Sequence, residues 1–134
     1  MDMNAFNKPI IEEFRANAGE VKSFPAPLLI LTTKGARTGQ VRENPLVFLE
    51  DGDRYIIIAS FAGNPKSPPW YHNLVAHPDV QIEIGAETIQ MRATVLDEPE
   101  RTELYTRMET QMPTFTEYRE STDRVIPVIA LTPV

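Results

Sequence analysis

Hydrophobic and polar positions alternate along this chain in two rhythms. Phe6, Ile10 and Phe14 recur every four residues and predict a short amphipathic helix over residues 4–18, with Gly19 as its stop. Packing against the body of the protein is the plain role for such a helix. A lid or a membrane-touching element is the sharper alternative. Pro25 and Pro27 then break the chain. Leu28 to Thr33 read as a strand, Gly35 and Gly39 bracket a turn, and Val41 to Leu49 read as the next strand. Pro45 inside that run predicts an edge strand or a bulge, since proline has no N–H for the ladder. Glu50-Asp51-Gly52-Asp53 is a hairpin signal, and Tyr55 to Ala59, apolar throughout, predict a central strand.

The second half continues the pattern. Phe61 to Lys66 is a loop, and Ser67-Pro68-Pro69 predicts a helix start with Ser67 as N-cap, the helix ending near His77-Pro78. Val80, Ile82 and Ile84 alternate with polar residues up to a tight hairpin at Gly85-Ala86, and Thr88 to Leu96 return as a strand. Asp97-Glu98-Pro99-Glu100 resembles an acidic helix cap, after which Leu104, Met108 and Met112 line one helix face. Pro113 interrupts, a further short helix runs to about Ser121, and Val125 to Leu131 form the last strand. About six strands, mostly joined by hairpins, predict a largely antiparallel sheet. Such a sheet hides its edges best by closing into a small barrel, which makes the fold α+β. Residues 1–24 are expected to form a helix and linker ahead of a barrel over 25–134.

Composition narrows the function. The chain has 134 residues, enough for one domain, and no cysteine, which excludes disulfides, thiolate nucleophiles and cysteine-based zinc sites. A net charge of −6 argues against a nucleic-acid partner. The chain shows no apolar run of spanning length and no signal-peptide order, so a cytoplasmic protein is expected. His72 and His77 are poorly spaced for a shared metal, and neither a nucleophile elbow nor a G-x-G-x-x-G fingerprint is present.

Three segments can carry chemistry. Lys34, Arg37 and Arg42 fall within nine residues of an acidic chain, beside Gly35, Thr38 and Gly39. The arginines suit a phosphate or carboxylate, and the glycines allow close backbone approach. The plainer reading is a solvated hairpin turn. From Ala59 to Asn73, a glycine-containing loop with Lys66 enters a helix whose first turn holds Trp70, the single tryptophan. An anion site beside an aromatic suits a flat phosphorylated ring; a capped helix with a core tryptophan is the alternative. Finally, Phe115 and Tyr118 share a helix face and can roof a planar ligand or simply pack.

These segments together resemble the deazaflavin-dependent nitroreductase family. The resemblance rests on Leu31 to Gly39, Arg42 with Asn44-Pro45-Leu46, Ala59-Ser60, Pro69 to Asn73, and Thr122 to Val128. It implies a split β-barrel like the flavin mononucleotide-binding oxidoreductases. It also implies coenzyme F-420, an 8-hydroxy-5-deazaflavin with a phosphate and a polyglutamate tail. Arg37, Thr38 and Arg42 would then meet the phosphate or tail. Asn44, Pro45, Leu46, Val47, Ala59, Ser60 and Phe61 would lie along the ring, with Pro69, Trp70, Asn73 and Phe115 completing the pocket.

This chain departs from the family pattern twice. Phe61 stands where lysine is frequent, leaving Lys66 as the substitute cation. Met112 and Phe115 stand where nitroimidazole-reducing members carry tyrosines, leaving Tyr118 as the candidate proton donor. Hydride transfer to a quinone or activated alkene is therefore expected over reduction of bulky nitro compounds. A flavin mononucleotide enzyme on the same barrel and a non-catalytic deazaflavin-binding protein are the alternatives. A small-molecule acceptor is the expected partner. The expected assembly is a monomer or homodimer, with peripheral contact to the inner membrane face through the N-terminal helix as a further option.

Overall fold

The computed structural model describes residues 3–24 and 26–134, with residues 3–6 described by backbone only. Pro25 and the Phe6 side chain, both used in the sequence expectations, lie outside the described residues. The elements are α1 (Met3–Ala16), β1 (Leu28–Lys34), β2 (Val41–Val47), β3 (Leu49–Asp51), β4 (Arg54–Ile58), α2 (Pro69–Ala76), β5 (Asp79–Ile84), β6 (Glu87–Val95), α3 (Glu100–Gln111), α4 (Thr114–Glu120) and β7 (Val128–Pro133).

The strands form one seven-stranded sheet in the order β2-β1-β5-β6-β7-β4-β3. Every pairing is antiparallel. The sequence predicted about six strands because Val41 to Leu49 read as one. That run is split at Phe48: β2 pairs with β1 at one edge, and β3 pairs with β4 at the other. A single residue therefore joins the two edges of the sheet, which must curl until they meet. This is a split barrel, with Phe48 buried at the seam and packed edge-on against Tyr55 at 5.5 Å. Pro45 sits in edge strand β2, where a missing N–H is tolerated.

Alternation along the strands sorts residues into packed layers. Leu29, Leu31, Ile57, Ile129 and Leu131 point into one cluster with Trp70, Leu74 and Ile82. Ile56, Ile58, Val128 and Ala130 point the other way, against Leu104, Tyr105, Met108 and Phe115 of α3 and α4. Leu28 and Ile30 pack under α1 with Ile11, Phe14 and Val21. Strands covered on both faces read as continuous apolar runs, which explains the Ile56-Ile57-Ile58 stretch.

Three local expectations change. The α2 N-cap is Pro68 rather than Ser67, with Pro69 at the first helical position, where an N–H would have no partner. The last strand begins at Val128, because Val125 is exposed and the Pro127 carbonyl instead accepts from the Ala59 N–H at 3.0 Å. On α1 the buried stripe runs through Asn7, Ile11 and Phe14, with Ile10 only part-buried. No helix among the described residues is long and apolar enough to cross a membrane.

Candidate cofactor-binding site

One large cleft of about 1480 Å³ opens beside the barrel seam, between the turn after β1, edge strand β2, the start of α2 and helix α4. That is above the roughly 300–1,000 Å³ of an ordinary small-molecule pocket, ample for a bulky cofactor. Arg37, Thr38 and Arg42 line it from the first turn, and Asn44, Pro45, Leu46 and Val47 from β2. Ser60, Phe61, Lys66, Pro69, Trp70 and Asn73 line it from the second segment, and Met112, Phe115 and Tyr118 from α4 and the residue-112 corner. Segments far apart in sequence thus converge on one cavity. Ala59 does not reach it. Its side chain is fully buried in the barrel core, and its backbone supports the loop that follows.

The charge distribution is one-sided. Arg37, Arg42 and Lys66 line the cleft, and among the described residues no Asp or Glu does, although the chain carries 19 acidic residues. Elsewhere Arg15, Arg54, Arg92, Arg101, Arg107 and Arg119 pair with carboxylates. Among the described residues Arg37 and Arg42 have no such partner. A cationic rim held open in an acidic protein is built for an anionic ligand.

The first turn is rigid. The Gly35 N–H donates to the Gln40 carbonyl at 2.7 Å, and the Gly39 N–H returns to the Gly35 carbonyl at 3.0 Å. Gly39 takes φ +72°, a left-handed conformation that favours glycine. A Cβ on Gly35 would stand 3.0 Å from Thr38 Oγ1, so the turn also depends on the missing side chain. Asn73 reaches across from α2. Its Oδ1 accepts from the Ala36 N–H at 3.0 Å, and its Nδ2 donates to Thr33 Oγ1 at 3.2 Å. Both polar ends of this buried amide hold the turn in place, which makes Asn73 a positioning residue.

The second loop carries strain. Phe61, Ala62 and Gly63 adopt φ of 47°, 53° and 76° in succession, an arrangement that persists only when its surroundings over-determine it. Two features do so. Gly63 packs so close to α4 that a Cβ would stand 2.9 Å from Ser121 Cβ and 3.0 Å from the Tyr118 carbonyl. Arg124, from the segment before β7, donates to the carbonyls of Ala59 (3.1 Å), Ser60 (2.7 Å) and Asn64 (2.9 Å). A longer 3.5 Å contact reaches Ser67 Oγ. Burial pulls the Arg124 guanidinium below its ordinary pKa. Sequence reasoning placed Arg124 in a candidate segment without a role. Its actual partners are backbone carbonyls about 60 residues away, which leave no side-chain signature.

Helix α4 forms the opposite wall. Phe115 is buried, with its ring 5.2 Å from Tyr118 and 6.3 Å from Tyr105 in edge-to-face contacts. Tyr105 donates its hydroxyl to the Phe115 carbonyl at 2.6 Å, and burial pushes its pKa up to about 12. Glu109 accepts from Thr116 and Arg119 and further pins α4 to α3. Tyr118 lines the cleft, and its hydroxyl has no hydrogen-bond partner among the described residues.

Comparison with known proteins agrees with this geometry. The family model described as F420H(2)-dependent quinone reductase matches residues 9–133. A reductase of that description from Mycobacterium tuberculosis is 41% identical over 109 residues, covering 79% of this chain and 73% of that protein. A solved F420-H2 dependent reductase superposes with a TM-score of 0.72 at 35% identity, covering 78% of this chain and 93% of its own. Another solved structure, described as a domain-swapped dimer, gives 0.75 at 28% identity and covers 98% of this chain and 99% of its own. With the match running from within α1 into β7, the chain belongs to the family of quinone reductases that depend on reduced coenzyme F-420.

Proposed function

We propose that this protein binds coenzyme F-420 in the cleft and reduces quinones with it. The observation that carries this reading is the cleft's one-sided chemistry: among the described lining residues there are three cations, no carboxylate and many apolar side chains. Those donors fit a phosphorylated, polyanionic, flat ring system. Arg37 and Arg42 grip phosphate or tail carboxylates through forked N–H pairs, and Lys66 adds a third charge in place of the lysine displaced by Phe61. Thr38 accepts from the Gln40 N–H at 3.2 Å, which aims its hydroxyl within the turn. Asn44, Pro45, Leu46 and Val47 form the wall along the ring, with Ser60, Phe61, Pro69 and Trp70 facing them. Residues 25–134 are the cofactor-binding barrel, and residues 1–24 are its N-terminal helix and linker.

When bound, the reduced coenzyme supplies a hydride to an electron-poor acceptor; the protein supplies orientation and electrostatics. The part-buried, aromatic-lined end beside α4 limits water at the reacting face. Tyr118 lines the cleft and is the candidate to deliver the proton that completes two-electron reduction.

This role predicts that Tyr118→Phe lowers kcat for a quinone by roughly 10²-fold, the low end for a general acid. Coenzyme affinity should stay within about twofold, because the lost hydroxyl makes no contact with the cationic end. Steady-state oxidation of the reduced coenzyme by a naphthoquinone measures both. An unchanged kcat would assign the proton to water. Failure of the unaltered protein to oxidise the reduced coenzyme with any quinone would overturn the proposed activity.

A further inference from the structure

We propose that Gly63 is a positioning residue for quinone reduction. Its missing side chain seats the Phe61–Gly63 turn on the backbone of α4 and so fixes Tyr118 relative to the loop that lines the cleft. The inference rests on the quinone reductase reading above, with Tyr118 as proton donor.

The turn adopts a disfavoured backbone. Phe61 and Ala62 hold left-handed φ of 47° and 53° although neither is glycine. Such conformations persist only where the surroundings impose them. Within the turn the Gly63 N–H donates to the Ser60 carbonyl and the Asn64 N–H to the Phe61 carbonyl, both at 3.0 Å. The result is to deliver Gly63 to α4. Gly63 is buried. A Cβ there would stand 2.9 Å from Ser121 Cβ, 3.0 Å from the Tyr118 carbonyl oxygen and 3.2 Å from Tyr118 Cα. Two of those three atoms are the backbone of Tyr118 itself. A residue larger than glycine therefore pushes the loop and the helix apart at the proton donor.

The rest of α4 is held by other means. Tyr105 donates to the Phe115 carbonyl at 2.6 Å, and Glu109 accepts from Thr116 and from Arg119, tying α4 to α3. Its other neighbour is the loop, met at Gly63. Arg124, just beyond the helix, donates to the Ser60 and Asn64 carbonyls on either side of the turn. Residues 118–124 thus hold the loop twice, by backbone contact at Gly63 and by the guanidinium at its flanks. Phe61 and Ala62 from the turn, and Phe115 and Tyr118 from the helix, line the same cleft. The Gly63 contact sets the spacing between these two linings.

Spacing matters to the chemistry. The quinone takes up a hydride, carrying two electrons, from the reduced coenzyme and a proton from Tyr118, which water then restores. Both transfers require the acceptor to rest against the coenzyme with the hydroxyl in hydrogen-bond reach. A loop and a helix locked together through a glycine keep that relation constant.

The test is a double-mutant cycle between Gly63→Ala and Tyr118→Phe, read as kcat for oxidation of the reduced coenzyme by a naphthoquinone. Coenzyme affinity and melting temperature are measured for every variant. Gly63→Ala should lower kcat about tenfold through misplacement. Coenzyme affinity should stay close to the parent's, because Arg37 and Arg42 lie on other segments. Tyr118→Phe should cost far less in the Gly63→Ala background than in the parent, since the hydroxyl is already displaced. Gly52→Ala is the control. Gly52 has φ +65°, yet an added Cβ meets nothing within 4 Å, so this variant carries the backbone cost without the contact and should leave kcat unchanged. Adding Ser121→Gly to Gly63→Ala removes the nearest obstruction and should recover part of kcat. If Gly63→Ala alone does not fold, the cycle is read in that combined variant. An unchanged kcat in Gly63→Ala, or losses from Gly63→Ala and Tyr118→Phe that simply multiply, would overturn the inference while leaving the activity intact. An unchanged kcat in Tyr118→Phe would overturn the proton assignment and the inference with it. Absence of quinone turnover by the unaltered protein would instead overturn the underlying reading.

Discussion

Replacing Arg37 and Arg42 together with methionine will weaken coenzyme F-420 binding by roughly 10²–10⁴-fold while leaving the fold intact. A hydrogen bond to a charged group contributes roughly 1.5–3 kcal/mol, and two such losses add when the sites act independently. The structure separates this effect from folding. Neither guanidinium pairs with a carboxylate among the described residues, so removing both breaks no internal ion pair. Their thermal midpoints should therefore match the parent's within a degree or two. Salt provides a second check. Affinity of the unaltered protein should fall as ionic strength rises, since exposed charges are screened, and the double variant should lose most of that dependence. A dissociation constant unchanged in the double variant, measured by coenzyme titration, would remove these arginines from the site.

Arg124→Met will have the largest effect on architecture. The guanidinium satisfies the carbonyls of Ala59, Ser60 and Asn64 at once. Methionine keeps the packing volume and none of the donors. Losing them costs about 2–3 kcal/mol, which corresponds to a fall of roughly 6–15 °C in melting temperature for a chain of this length. The damage will concentrate where the strain is stored. Phe61 and Ala62 hold left-handed φ values only while the loop is clamped, and releasing them frees the segment that carries Phe61 and Lys66. Coenzyme affinity should fall along with stability, although Arg124 lies behind the loop and not in the cleft lining. Arg124→Lys should recover only a fraction of either, because one ammonium cannot reproduce a planar fork aimed at three carbonyls. Melting curves and coenzyme titrations of both variants read this directly. A variant with unchanged melting temperature and affinity would show that the loop holds itself.

Much of this arrangement was legible in the chain because it depends on local chemistry. Alternation marked the strands and Pro45 marked an edge, and Arg37, Thr38 and Arg42, a candidate anion cluster in the sequence, do line one cleft. The residues that escaped notice act over distance. Nothing in Val41 to Leu49 shows that the ladder changes partner at Phe48, since both halves are equally β-prone; only the pairing with β1 and β4 separates them. Asn73, which the resemblance places in the pocket, does line the cleft, but the sequence did not show that its amide also holds the backbone and a hydroxyl of a segment about 40 residues earlier. Arg124 stood in a candidate segment without a role, because its partners are main-chain atoms that leave no side-chain signature. The corrections share a cause: a sequence shows which groups are available, and tertiary packing decides which groups they meet.

The most direct measurement of the central claim is equilibrium binding of oxidised coenzyme F-420, followed through the fluorescence of Trp70, which lies in the cleft wall. Saturable quenching is expected at micromolar coenzyme or below, weakened by salt, with flavin mononucleotide binding at least tenfold more weakly. No quenching at micromolar coenzyme, alongside tight binding of flavin mononucleotide, would contradict it.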